Sequence, residues 1–189
     1  MTNITEAERT KYEELWTDVP EYRDYSPGME NVQRFCDILH PPQECSLIDV
    51  GCGTGIAGLA FRADGHEVWW LDITDAALHP HVPRDRFLRY AVWEDWAYSR
   101  FDYGFCCDVM EHIPTEYTML AASRIIKSCD VSWFQIAFRD DQFGRLIGKP
   151  LHLTVQSFEW WLQRLRTLGD VVEARDLIEC GLFVVESRR

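Results

Sequence analysis

Apolar residues change their spacing near Cys45, and that change divides the chain in two. Ahead of it they recur three and four apart. Tyr12, Leu15 and Trp16 fall on one face of a helix that Thr5 caps, with Glu8 completing a capping box. Pro20, Pro27 and Gly28 interrupt the pattern, and Met29 to Leu39 resumes it with Val32, Phe35, Cys36 and Leu39 in phase until His40-Pro41-Pro42. From Cys45 short, nearly continuous apolar runs take over: Ser46 to Val50, Glu67 to Leu71, Phe87 to Val92, Phe101 to Cys107 and Val131 to Phe138. Runs of this kind separated by helical segments predict parallel strands buried on both faces. Ser157 caps a further helix carrying Trp160, Trp161 and Leu165, which Gly169-Asp170 stops. Val171 to Ile178 and Leu182 to Glu186 are joined by Glu179-Cys180-Gly181 alone, and so short a connection forces an antiparallel pair.

The pattern predicts a doubly wound α/β fold with a mostly parallel seven-stranded sheet and a C-terminal antiparallel hairpin. Residues 1–44 form a short helical cap ahead of a core at 45–189, within one domain overall. His79-Pro80-His81-Val82-Pro83 resists helix, so a loop is expected between Asp75 and Arg86.

Composition narrows the partners. The net charge is −12, and the group Arg84, Arg86, Arg89 is interrupted by Asp85, so a nucleic-acid backbone is a disfavoured partner. The seven cysteines are odd in number and contain no C-x-x-C pair, which argues against a disulfide framework and leaves no metal expected. Several sit in strand-like runs as small buried hydrophobes, which fits a reduced, cytoplasmic protein. The N-terminus has neither the basic nor the apolar region of a signal peptide, and no apolar stretch approaches membrane-spanning length. Some of the eight tryptophans are candidates to line a ligand site.

The sharpest local feature is Asp49-Val50-Gly51-Cys52-Gly53-Thr54-Gly55, set between a strand and a helix from about Ile56 to Arg62. Glycine lets the backbone turn tightly and approach a ligand closely. In a doubly wound sheet this is the ligand end of the first strand. Gly53-Thr54-Gly55-Ile56-Ala57-Gly58 also satisfies the dinucleotide pattern G-x-G-x-x-G, so the glycines alone do not choose a cofactor. Asp49 leans away from a pyrophosphate and toward a ligand bearing an ammonium group.

Asp49 to Gly55 resembles motif I (D-x-G-x-G-x-G) of class I S-adenosylmethionine-dependent methyltransferases. Asp72, in Trp69-Trp70-Leu71-Asp72-Ile73, matches the acidic residue that ends that family's second strand and binds the ribose hydroxyls, with Ile73 flanking the adenine. Phe101 to Pro114 resembles the fourth-strand segment of the small-molecule branch, F-D-x-V-x-x-x-D-V-x-E-H-x-P, and brings in Cys107 and Asp108. The resemblance covers roughly Ser46 to Phe138 and implies cofactor contacts from Asp49, Gly51, Cys52, Gly53, Gly55, Asp72, Ile73, Cys107 and Asp108. One position departs. Where the family often places an acid after the third strand, this chain has Val92, so backbone groups of Val92 and Trp93 serve the adenine, or a shifted register brings in Glu94. Tyr12, Trp16, Tyr22, Arg23 and Tyr25 surround a proline-punctuated segment of the kind that many methyltransferases of this class use as a lid. Arg23 is then placed on the methionine carboxylate and Tyr25 beside it; the other reading of this segment is a cap packed for stability.

The resemblance implies methyl transfer to a small molecule, with a sugar or peptide group as further possibilities for an oxygen or nitrogen acceptor. The N/D-P-P-Y motif of nucleic-acid amino-methyltransferases and a Pro-Cys nucleophile pair are both missing from the sequence. His112 and His152 are the candidate catalytic bases, with Asp108 a further polar group. The alternatives are a cofactor-binding protein without turnover and an NAD-dependent oxidoreductase.

Overall fold

A computed structural model describes residues 3–24, 26–96 and 100–188. Seven strands form one sheet in the order β3-β2-β1-β4-β5-β7-β6: β1 (Ser46–Val50), β2 (Glu67–Asp72), β3 (Phe87–Arg89), β4 (Phe101–Cys107), β5 (Cys129–Ala137), β6 (Asp170–Asp176) and β7 (Cys180–Glu186). β1 through β5 pair in parallel, and β7 runs antiparallel to both β5 and β6. Adjacent residues point to opposite faces, so each central strand serves two cores. Leu47, Phe105 and Trp133 pack with α3 (Pro27–Leu39) and α4 (Ile56–Ala63), whereas Ile48, Cys106 and Phe134 pack with α5 (Thr115–Ser128) and α6 (Phe158–Leu168). The strand order reverses between β1 and β4, and in such sheets the crevice at that point is where ligands bind.

The polar N-terminal stretch forms α1 (Asn3–Asp18) and α2 (Pro20–Asp24). α1 crosses the carboxyl-end rim of the sheet and ties down four successive loops. Arg9 Nε donates to Ile73 O (3.0 Å), Thr5 Oγ1 accepts from Trp93 Nε1 (3.2 Å), Tyr12 OH meets His112 Nδ1 (2.8 Å), and Lys11 Nζ donates to Pro150 O (3.3 Å). Among the described residues no helix is long and apolar enough to cross a membrane.

Local differences from the sequence pattern each have a cause. Thr5 is no cap: it lies inside α1, and its hydroxyl serves the buried indole of Trp93. α3 starts at Pro27, because proline is suited to the first helical turn, where its missing N–H costs nothing. β3 stops at Arg89 instead of running to Val92. Tyr90 N still donates to Asp72 O (3.0 Å), but Glu94 N then turns back to Ala91 O (2.8 Å). Leu177 and Ile178 leave β6 for the hairpin turn, where Ile178 N donates to Asp176 Oδ1 (3.0 Å). Between β2 and β3 the described residues form a loop with one 3-10 turn (Arg84–Arg86), as the proline-rich segment predicted. Ser157 caps α6 by accepting from Trp160 N (3.3 Å).

Candidate functional site

The loop after β1 is held open by its own backbone. Gly51, Gly53 and Gly55 have φ of 66°, 52° and 75°, a region that side-chain-bearing residues rarely adopt. Gly51 N and Cys52 N donate to Leu71 O (2.7 and 3.0 Å), which pins the loop to the end of β2. A Cβ on Gly51 would fall 2.5 Å from Val109 Cγ2. Trp70 wedges beneath the loop: its Nε1 donates to Gly55 O (3.0 Å), and a Cβ on Gly58 would lie 2.2 Å from the same nitrogen. Gly58 is therefore a packing glycine, allowing α4 to approach β2.

Two carboxylates anchor the loop. Asp49 Oδ2 accepts from Gly58 N (3.0 Å), and Asp72 Oδ2 accepts from Gly53 N (2.9 Å) while its Oδ1 accepts from Thr74 N (3.1 Å). Burial raises the Asp49 carboxyl to about 7 and the Asp72 carboxyl to about 6, against backbone N–H donors that hold each down. Both are poised to gain from a ligand that supplies positive charge or hydroxyl donors.

Two adjoining cavities open at the carboxyl ends of β1, β2 and β4. The larger, about 390 Å³, is lined by Asp49, Cys52, Cys107, Asp108, His112 and His152 among others. The smaller, about 90 Å³, is lined by Glu8, Asp72, Ile73, Val92 and Trp93. Gly51, Gly53, Asp108 and His112 border both, so the two are lobes of one cleft, and Tyr12, Trp16 and Tyr22 cover it from α1 and α2.

Most sequence-predicted residues converge on this cleft, with instructive exceptions. Gly55 borders neither lobe; its carbonyl faces the Trp70 indole. Arg23 is engaged elsewhere. It lines neither lobe, because Nε donates to Trp16 O (2.8 Å) and Nη2 to Ala76 O (3.0 Å), bracing α1 and α2 against the loop after β2. Tyr25 lies outside the described residues. Glu94 turns its carboxylate to Ala91 N (2.9 Å) and is absent from the lining of both lobes. Val92 and Trp93 do line the smaller lobe, although their carbonyls already accept from Trp96 Nε1 (2.9 Å) and Arg124 Nε (3.1 Å). The Trp93 ring stacks on Tyr117 with centroids 5.5 Å apart.

His112 is half-buried at the cleft wall, and desolvation together with the charges of His152 and Lys11 lowers it to about 3, so it stays neutral. Its ring meets His152 edge-on at 4.6 Å between centroids. Asp108, in a left-handed conformation (φ 50°), accepts from Gln135 Nε2 (3.1 Å), and burial raises its carboxyl. Burial also favours the neutral form of Asp141. The backbone N–H groups of Leu151, Gly144 and His152 outweigh it and hold that carboxyl low. Those contacts brace the loop that carries His152.

Two acids in the cleft carry no local sequence signature of a ligand site. Glu8, which the Thr5 spacing marks as a capping residue, points inward on the buried stripe of α1 and lines the smaller lobe. The Lys11 ammonium lies 2.6 Å from its Oε2 but out of line for a hydrogen bond. The signal was its spacing, three from Thr5 and four from Tyr12 on one helical face. Glu111 is fully buried at the floor of the larger lobe.

No protein-family model matches the chain. It is 28% identical over 141 residues to a ubiquinone biosynthesis O-methyltransferase of Thiobacillus denitrificans, a match covering 67% of this chain and 61% of that protein's length. In structure it resembles Burkholderia thailandensis 1,6-didemethyltoxoflavin-N1-methyltransferase, solved with 1,6-didemethyltoxoflavin and S-adenosylhomocysteine. The TM-score is 0.70 at 14% identity, covering 96% of this chain and 87% of that one. The N-methyltransferase NodS of Bradyrhizobium japonicum, bound to S-adenosylhomocysteine, aligns with a TM-score of 0.66 at 14% identity over 95% of this chain and 97% of its own. These likenesses span nearly the whole chain: it has the fold of the class I S-adenosylmethionine-dependent methyltransferases.

Proposed function

We propose that this protein transfers the methyl group of S-adenosylmethionine to an oxygen or nitrogen of a small-molecule acceptor. The observation that carries the reading is the two-lobed cleft, with a buried Asp72 carboxylate in the smaller lobe and a larger lobe beyond the glycine loop. The residues fit the cofactor. Gly51 and Gly53 border both lobes with positive φ, and a Cβ on either would press on Val109 or Trp16, so only glycine lets the backbone itself face a ligand; Asp72 presents two carboxylate oxygens beside the apolar Ile73 and Val92.

Asp72 holds the ribose hydroxyls by charge-assisted hydrogen bonds, each worth about 1.5–3 kcal/mol. Glu8 supplies from α1 the acceptor that the segment after β3 lacks, and takes the adenine amino group. Asp49 pairs with the amino group of the methionine part. Asp108 adds negative potential where the two lobes meet, which favours a sulfonium. Bound there, S-adenosylmethionine supplies an electrophilic methyl group, and the acceptor occupies the lobe faced by His112 and His152. Tyr12, Trp16 and Tyr22 close over the cleft as a lid, excluding water and aligning the reactants. Alignment of donor and acceptor contributes up to about 7–11 kcal/mol in favourable cases.

Calorimetric titration with S-adenosylhomocysteine and, separately, with NAD⁺ tests the cofactor. Saturable binding of the first and none of the second is expected; the reverse overturns the proposal. Release of S-adenosylhomocysteine in the presence of a panel of hydroxyl and amine acceptors then separates an enzyme from a non-catalytic binder.

A further inference from the structure

We propose that Glu111, His112 and His152 form a binding site for a first-row divalent transition-metal cation at the floor of the acceptor lobe. One ligand atom from each of the three lies within 4.8 Å of the others. Glu111 and His112 come from the 3-10 turn after β4 (Met110–His112), and His152 comes from the loop between β5 and α6. That juxtaposition is held rigidly: Leu153 N and Thr154 N both donate to Glu111 O (2.7 and 2.9 Å).

Each of the three engages the protein through one polar atom and leaves another. Glu111 Oε1 accepts from Ala137 N (3.1 Å), whereas Oε2 is buried with no hydrogen-bond partner among the described residues. His152 Nδ1 lies 2.6 Å from Arg139 O. A carbonyl only accepts, so Nδ1 carries the proton and Nε2 presents a lone pair. His112 Nδ1 bonds to Tyr12 OH (2.8 Å), and in the tautomer where Nδ1–H donates, its Nε2 is likewise a ligand. Orientation of imidazoles through the second ring nitrogen is the usual outer support of a metal site. A bare carboxylate oxygen in a fully buried position otherwise carries a large desolvation cost, which a cation offsets.

The donor set selects the ion. Two imidazole nitrogens and one carboxylate oxygen suit manganese, iron, cobalt or zinc, whereas calcium and magnesium favour all-oxygen cages. Three protein ligands leave positions facing the larger lobe, as in catalytic metal sites. The consequence for the acceptor rests on the methyltransferase reading: the site favours a hydroxyl acceptor over an amine. A cation there lowers the pKa of a bound hydroxyl. The hydroxyl proton leaves to solvent, the oxygen lone pair forms the new O–CH₃ bond, and the electrons of the breaking C–S bond return to sulfur.

The test titrates Co²⁺ and Mn²⁺ into chelator-treated, desalted wild-type protein, reading the visible Co²⁺ bands and the loss of the free Mn²⁺ resonance signal. Binding of one ion per chain is expected, with a metal-dependent rise in melting temperature. His152→Ala should weaken binding by at least about tenfold and abolish that rise, with the metal-free melting temperature retained. Glu111→Gln should weaken binding comparably. No binding to wild type, or undiminished binding by His152→Ala, overturns the proposal and leaves Glu111 holding a proton. S-adenosylhomocysteine titrated into the same metal-free sample separates the two ideas. If it binds while metal does not, the metal site alone fails; if metal binds while it does not, the cofactor reading alone fails.

Discussion

Replacing Asp72 by asparagine keeps the size of the side chain and removes its charge. In the structure Asp72 is 8% exposed, and its two oxygens accept from Gly53 N and Thr74 N. Burial raises its carboxyl from 3.8 to about 6 in the folded protein. A group whose folded pKa lies above its unfolded value adds stability at acid pH, and that contribution is lost as pH rises through about 6. At neutral pH the ionised side chain therefore costs about 3 kcal/mol, from two units at about 1.36 kcal/mol each. Asparagine relieves this cost, but its amide group confronts one of the two N–H donors and leaves it unpaired, at about 1–3 kcal/mol. The unliganded Asp72→Asn protein should thus range from equally stable to about 2 kcal/mol more stable, by this offset of charge relief against a lost hydrogen bond. Binding moves the other way. Two hydrogen bonds to ribose hydroxyls drop from charge-assisted to neutral strength, a loss of about 2–3 kcal/mol or about 30- to 150-fold in affinity. Calorimetry with S-adenosylhomocysteine at pH 7.5 and 5.5, alongside thermal melts, reads both effects. Wild type should lose affinity below pH 6, as Asp72 gains its proton, and the variant should lose less. A variant that melts well below wild type yet binds the ligand with wild-type affinity refutes the reasoning.

Gly58→Ala tests the packing role of that glycine. Helix propensity alone favours alanine by up to about 1 kcal/mol, but the new methyl meets the immobile Trp70 indole and sits 3.0 Å from Asp49 Oδ2. The expected result is a net loss of about 1–3 kcal/mol, seen as a lower melting temperature together with weaker S-adenosylhomocysteine binding; a melting temperature at or above wild type contradicts it. Glu8→Gln tests the acceptor on α1. It should weaken S-adenosylhomocysteine binding by about tenfold, the scale of one charged hydrogen bond. The inosine analogue, which lacks the amino group, should be much less affected, and equal losses for both ligands would remove Glu8 from the adenine.

The order of strands and helices was legible because it depends on near-neighbour physics. Apolar runs of strand length, prolines that bar a helix after β2, and a three-residue link between β6 and β7 leave little choice of arrangement. The glycine loop was legible for the same reason, since positive φ at Gly51, Gly53 and Gly55 is a property of residue type. Asp49 and Asp72 follow from their places at strand ends. What local pattern does not contain is the direction of a side chain on an element whose neighbours are distant in the chain. Nothing near Arg23 in the chain announces that its guanidinium meets the carbonyl of Ala76, 53 residues away. Glu8 has the spacing of a helix cap, and only the passage of α1 across the cleft turns it inward. Val92 read as strand, yet β3 ends before it and the residue becomes a cavity wall. Glu111, His112 and His152 have no metal-binding spacing in the chain, about 40 residues separating the last from the first two. Hydrogen bonds from Leu153 and Thr154 to one carbonyl bring them together, a long-range closure that is determined by packing and not by composition or period.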